Sequence, residues 1–248
     1  MPIPAVFIDS DLPETPGMKD IDDFIVKNWF TDFPAVDGTK LGGYYFGNPV
    51  SNLAMNSFNN AAPATLNGSF DNSQGYINVD VNNYLDTTLK APVALKVLAV
   101  IRRPSNPSVA NYFISDFSGT GVAGLGFGLG IATDGKLRIV GQNDATTAVA
   151  SVDFPSSIAV GDLCAIAAHV IQGAVYVAIY NPATATYVAG NTAMSGTRSA
   201  GTKNILIGRK TDNNTSTAST AIKSAVLING EITGAQQLAA MQYLLAMD

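Results

Sequence analysis

The chain has 248 residues, an ordinary length for one large all-β domain. Charged residues make up 13% of it, the hydrophobic fraction is 47% and the net charge is −5. Such a charge-poor, acidic chain lacks the basic footprint that grips phosphate backbones, and no window approaches the roughly 18 apolar residues of a membrane span. Neither nucleic acid nor a membrane is therefore expected as a partner.

The single cysteine, Cys164, leaves no intrachain disulfide framework and no multi-cysteine metal site. The single histidine, His169, would have to serve any Ser-His-Asp or Cys-His device. It sits in CAIAAHVIQGAVYVAIY, an apolar run that reads as two buried strands, so a hydrogen-bonded or half-exposed strand histidine is expected. Cys164, in the same run, reads as a small buried hydrophobe. A glycosidase needs two carboxylates facing each other across the scissile bond. Asp22 with Asp23, or Asp71 with Asp80, would supply such a pair, but no acid-x-acid-x-acid strand occurs. A non-enzymatic protein is the expectation.

Residues 1–37 form an arm distinct from the rest. Five of the twelve prolines fall here (Pro2, Pro4, Pro13, Pro16 and Pro34), each removing a backbone donor. The opening MPIPAVFIDSDLPETPGMKD has neither a basic n-region nor a long apolar core, so no export signal is expected, and LPETPG reads as a proline-stiffened turn. Between Pro16 and Pro34, Ile21, Phe24, Ile25 and Trp29 recur at helical spacing, with Asp20, Asp22 and Asp23 in the first turn, where negative charge suits the helix dipole. One short amphipathic helix follows from this. With Phe30 and Phe33 it carries a large apolar load, either docked on its own domain or set against a neighbouring subunit or a larger assembly.

From Gly38 onward the texture is β. GGYYFGN, GYINVDV, ALKVLAVIRR, NYFISDF, GFGLGIA, KLRIVGQ, SVDFPSS, LCAIAAHVI, AVYVAIY, NILIGRK and AIKSAVLING are strand candidates, about eleven in all. TDGK (133–136) and QG (172–173) are hairpin turns, because glycine tolerates positive φ, and NPATATY (181–187) is a longer polar turn. Strands at this spacing indicate a two-sheet antiparallel sandwich rather than alternating βαβ units. TDNNTSTAST (211–220) is a polar loop. The chain closes on a helix, TGAQQLAAMQYLLAMD, with Thr233 and Gln236 spaced as a capping box and Leu238, Met241, Leu244 and Leu245 on one stripe.

Two patterns invite chemistry. GTGVAG (119–124) fits G-x-G-x-x-G, a dinucleotide signature that works only where a helix leads out. Here the continuation alternates Gly with Leu, Phe and Ile, so it reads as a strand whose bare face (Gly124, Gly126, Gly128, Gly130) receives a close-packed layer or a flat ligand. Loop acids Asp116, Asp134, Asp144 and Asp212, with Asn213, are candidate ligands for a structural Ca²⁺, although isolated loop aspartates are commonly turn formers.

The order of segments from Gly42 to Asp248 resembles the concanavalin A-like jelly roll, in its laminin-G-like or pentraxin-like branch. GGYYFGN is followed by GYINVDVNNYLDTTL and ALKVLAVIRRP, then NYFISDF, GFGLGIATDGKLRIVG, a Gly-Asp turn leading into LCAIAAHVIQGAVYVAIYN, then NILIGR and the closing strand and helix. Leu163 or Cys164 stands where the family usually has Trp, NSFNNAA (56–62) where it has an Asp-rich segment, and the glucanase branch's catalytic carboxylate strand is missing. The resemblance implies a recognition domain over 38–248 that binds glycans or proteins, with Tyr112, Tyr176, Tyr180 and Tyr187 as candidate stacking residues if they do not simply fill sheet faces. The resulting expectation is a virion structural or adhesion protein, a bacteriophage tail or surface component. Its arm would contact other virion proteins or a second copy of the chain, and its jelly roll a host-surface glycan. A bacterial glycan-binding module and a polysaccharide hydrolase or lyase using an Asp pair are the alternatives.

Overall fold

The computed structural model describes residues 29–47, 50–212 and 216–247. Ile21, Phe24 and Ile25 of the expected arm helix lie outside the described residues, as do the Asp22–Asp23 pair and Asn213. The described residues form fourteen strands where about eleven were expected: β1 (Thr39–Tyr45), β2 (Thr65–Asn67), β3 (Ile77–Val79), β4 (Tyr84–Lys90), β5 (Leu95–Arg102), β6 (Asn111–Ser115), β7 (Leu125–Ile131), β8 (Leu137–Asn143), β9 (Thr146–Val152), β10 (Leu163–Ile171), β11 (Ala174–Asn181), β12 (Thr186–Ala193), β13 (Asn204–Ile207) and β14 (Thr220–Asn229). A short helical turn, α1 (Trp29–Asp32), precedes them and α2 (Gly234–Ala246) follows.

The strands form two seven-stranded antiparallel sheets, β1-β14-β5-β10-β11-β12 with β3 on β14, and β2-β4-β13-β6-β7-β8-β9. Late strands are inserted between early ones (β14 between β1 and β5, β13 between β4 and β6), the crossover pattern of a jelly-roll sandwich. Between the sheets lies one core, built from alternate residues such as Val97, Ala99 and Ile101 of β5 facing Phe113, Phe127 and Leu129. The intervening residues of β5 as far as Ile101 do not meet water either. Leu98 and Val100, with Ala165, Ala167 and Val226, form a second apolar layer beneath Ala240, Met241 and Leu244 of α2. That double burial explains why β5 reads as a continuous apolar run rather than an alternating one.

The expected turns are present, with Gly135 at φ 80° and Gly173 at φ 87°. The capping box closes as its spacing requires, Gln236 N–H donating to Thr233 Oγ1 at 3.2 Å and Thr233 N–H to Gln236 Oε1 at 2.9 Å. Gly124 leads into β7 and not a helix, so the glycine-rich segment is the strand its alternation suggested. Its bare face is filled by this chain. A Cβ added at Gly130 would lie 2.1 Å from the Asn111 carbonyl oxygen, one at Gly128 3.0 Å from the Tyr112 ring, and one at Gly126 2.4 Å from the Asp116 carboxylate.

The described end of the arm packs on its own sandwich. Trp29 and Phe33 meet Phe58 at ring-centroid distances of 5.4 and 5.6 Å, Tyr243 of α2 stands edge-on to Phe33, and its hydroxyl donates to the Trp29 carbonyl at 2.7 Å. Phe30 is half-buried beside them.

Candidate functional site

The four tyrosines separate into two places. Tyr176 and Tyr180 lie four residues apart on β11, so they share a face, and Tyr187 of β12 sits directly opposite Tyr180. All three border the apolar layer under α2. Gln237 Nε2 donates to Tyr176 Oη at 3.2 Å and Gln242 Nε2 to Tyr180 Oη at 3.5 Å. The Tyr176 and Tyr180 hydroxyls are thus engaged by the closing helix, and burial raises the Tyr176 hydroxyl pKa to about 12. Tyr112 belongs to the opposite sheet, where its ring covers Gly128 and carries the Lys210 ammonium 5.2 Å from its centroid.

The four aspartates also stay apart in their bonding. Asp116 is fully buried and accepts N–H bonds from Phe127 and Gly201, both at 2.7 Å. Burial raises its pKa, while those bonds and the Arg198 guanidinium oppose the rise. Asp134 accepts from Lys136 N–H in its turn at 3.3 Å, Asp144 occupies a left-handed turn position at φ 49°, and Asp212 pairs with Lys210. Among the described residues no three His, Cys, Asp or Glu side chains gather where they would hold a metal ion. Asp71 and Asp80 close separate local turns through Ser73 and through Asn82 and Asn83.

His169 and Cys164 both lie on β10, and the His169 Nε2 atom is buried without a hydrogen-bond partner among the described residues. The Cys164 thiol is buried, donates to the Ile101 carbonyl at 3.5 Å, and is pushed up to about 12 by burial. His169 faces Lys96 on one neighbouring strand and Tyr176 on the other. Burial and the Lys96 charge hold its imidazole down to about 4, so it is neutral near pH 7.

A concavity that the sequence did not reveal lies at one end of the sandwich, where β9 runs out into 153–157 beside the β11–β12 turn. It is an open cleft of about 390 Å³, within the roughly 300–1,000 Å³ of small-ligand sites. Val152, Phe154, Pro155, Ala183 and Val188 provide apolar walls, and Asp153, Ser156, Ser157 and Asn181 provide the polar groups.

This cleft is framed rigidly. Ile158 N–H donates to the Pro155 carbonyl at 3.0 Å, closing a tight turn whose Ile158 side chain is buried. Arg103 braces it from behind, its Nη1 donating to the Ile158 carbonyl and its guanidinium lying 5.1 Å from the Phe154 ring centroid. Across the cleft, Asn181 Oδ1 accepts from Ala183 N–H at 3.1 Å and from Ser157 Oγ at 2.9 Å. Those two donors fix which way the carboxamide points, so Asn181 Nδ2 is left as a donor without a partner among the described residues. Asp153 Oδ2 pairs with Lys136 at 3.2 Å, and its side chain is 78% exposed. The arrangement offers hydrogen-bond donors and acceptors above apolar walls.

No family model and no curated protein matches the chain. Solved structures do. One is of botulinum neurotoxin type C, a toxin whose route into cells depends on interaction with two ganglioside molecules (TM-score 0.59, 9% identity, 83% of this chain and 51% of that one). Another is domain 4 of AbnA, an extracellular GH43 arabinanase from Geobacillus stearothermophilus, in complex with arabinotriose (TM-score 0.52, 14% identity, 83% of this chain and 99% of that one). A third is a Trypanosoma rangeli sialidase mutant displaying trans-sialidase activity (TM-score 0.56, 12% identity, 92% and 39%). The chain spans about half the length of the toxin structures it matches. At these identities the likeness is one of fold, an all-β jelly-roll sandwich.

Proposed function

We propose that the chain is a non-enzymatic glycan-binding jelly roll, displayed on a virion surface such as a bacteriophage tail and joined to it through its N-terminal segment. The observation that carries the binding reading is the cleft, whose oriented Asn181 carboxamide, Asp153 carboxylate and two serines stand over apolar walls. Sugar rings present that same mixture, hydroxyls at the rim and C–H groups on the faces. Two similar folds, the toxin and the arabinanase domain, belong to proteins that engage sugars, which supports the reading. A lone imidazole under α2 and a buried thiol support binding over catalysis.

The test is a glycan array probed with the full chain, followed by calorimetry on the glycans retained. Saturable binding that Asn181→Ala weakens tenfold or more is the expected result. Retention of no glycan at millimolar concentration, or release of new reducing ends from a polysaccharide, would overturn it. The virion setting is tested by deleting residues 1–28, which spares the Trp29–Phe33 cluster that the sandwich itself uses. Unchanged incorporation into purified particles would remove the arm from that role.

A further inference from the structure

We infer that the cleft selects uncharged sugars, neutral hexose or pentose residues, and discriminates against their carboxylated counterparts. This deepens the glycan-binding reading and rests on it. The first ground is charge. No lysine or arginine lines the cleft, and its ionised group is the Asp153 carboxylate. Lys136 stands at the lip with its ammonium already paired to Asp153 Oδ2. Arg103 lies behind Phe154 with a guanidinium N–H committed to the Ile158 carbonyl. A sugar carboxylate entering here meets a second acceptor carboxylate and, among the described residues lining the cleft, finds no uncommitted cation to offset its lost hydration.

The second ground is hydrogen-bond polarity. Asn181 spends its oxygen on Ser157 and Ala183 and leaves Nδ2 available, while Asp153 keeps Oδ1 without a partner among the described residues. A hydroxyl both donates and accepts, so neighbouring hydroxyls on one ring satisfy a donor and an acceptor together. A carboxylate only accepts. It would serve Asn181 Nδ2 and leave Asp153 Oδ1 facing a second acceptor.

The experiment uses the full chain and matched pairs of probes on the array and in competition calorimetry: galactose against galacturonic acid and glucose against glucuronic acid, each as a terminal residue. The neutral member of a pair is expected to bind at least tenfold tighter, with affinity changing less than twofold between low and high salt. Asp153→Asn should shrink the discrimination to within about threefold. Asn181→Asp keeps an acceptor for Ser157 and Ala183 but removes the Nδ2 donor, and should weaken the neutral sugar at least tenfold with unchanged thermal unfolding. Equal or tighter binding of the acidic member, lost in Asn181→Asp, would overturn the selectivity while leaving glycan binding standing. Binding of neither member of any pair, with no other glycan retained, would bring down the glycan reading and this inference with it.

Discussion

Lys96 tests the energetics of the layer under α2. Its residue is 3% exposed, its ammonium donates to Gln237 Oε1 and lies 5.0 Å from the Tyr176 ring centroid, and His169 is its cross-strand neighbour. Burial drives its pKa down from 10.5 to about 8, against a small opposing pull from Glu231. The sign of the linkage follows. Between about pH 8 and pH 10.5 the unfolded chain holds a proton that the folded chain has released, so stability rises with pH across that window, and below about pH 8 the cost of the buried charge is fully present. At about 1.4 kcal/mol per pH unit, the wild type gains about 2 kcal/mol between pH 8 and about pH 9.5, a range that stops short of tyrosine ionisation in the unfolded chain. Lys96→Met keeps the apolar stem and removes the titrating group. Denaturant unfolding of both proteins across that range should give a wild-type-minus-variant difference that climbs with pH by about 2 kcal/mol. Every other titration is common to the two and cancels. A difference that stays flat within about 0.5 kcal/mol would refute the argument that this amine is buried as a charge beneath the helix.

Two further predictions concern the backbone. Gly130→Ala places a methyl group 2.1 Å from the Asn111 carbonyl oxygen and 2.6 Å from Tyr112 Cα, both on the β6 backbone, so β6 and β7 must part; a loss of about 3 kcal/mol or more is expected by denaturant unfolding. Ala185, exposed in the β11–β12 turn at φ 52°, occupies a conformation that costs an L-residue about 1–2 kcal/mol. Ala185→Asn, whose side chain tolerates that region, should raise the thermal midpoint by an amount matching about 0.5–1 kcal/mol, with glycan affinity unchanged.

The legible parts of the fold are those with a buried face on one side and a special residue at the turn. The β5 run, the Gly135 and Gly173 turns and the Thr233–Gln236 box each announce themselves through a single physical requirement. The misread parts lack one. β12 is TYVAGNTA, an edge strand exposed along most of its length, so no alternation marks it and it reads as an extension of the preceding polar turn. β9 buries only Ala148 and Ala150 while Val149 faces water, the reverse of the hydropathy pattern expected of a half-buried strand. The strand signal therefore falls several residues late, at SVDFPSS. The cleft lies at the junction of these same two segments. Its residues were hidden not because their chemistry is unusual but because the edges that position them carry no sequence period.

The tyrosines illustrate the converse. Their residue type suits sugar stacking, and the spacing of Tyr176 and Tyr180 correctly puts both rings on one face. A stacking platform, however, needs a face that nothing else covers. The closing helix has to bury Met241 and Leu244, and the two sheets already bury their inner faces against each other, so the helix must occupy an outer face. The outer face it takes has small residues, Ala165, Ala167 and Ala178, at its centre, which let a helix approach, and the two β11 tyrosines meet Gln237 and Gln242 of that helix. Once the helix is granted, those tyrosine hydroxyls become partners for its glutamines. The proposed recognition site then falls at the end of the sandwich, where Asn181, the residue following Tyr180, leaves the helix-covered face by the alternation of the strand and lines the cleft.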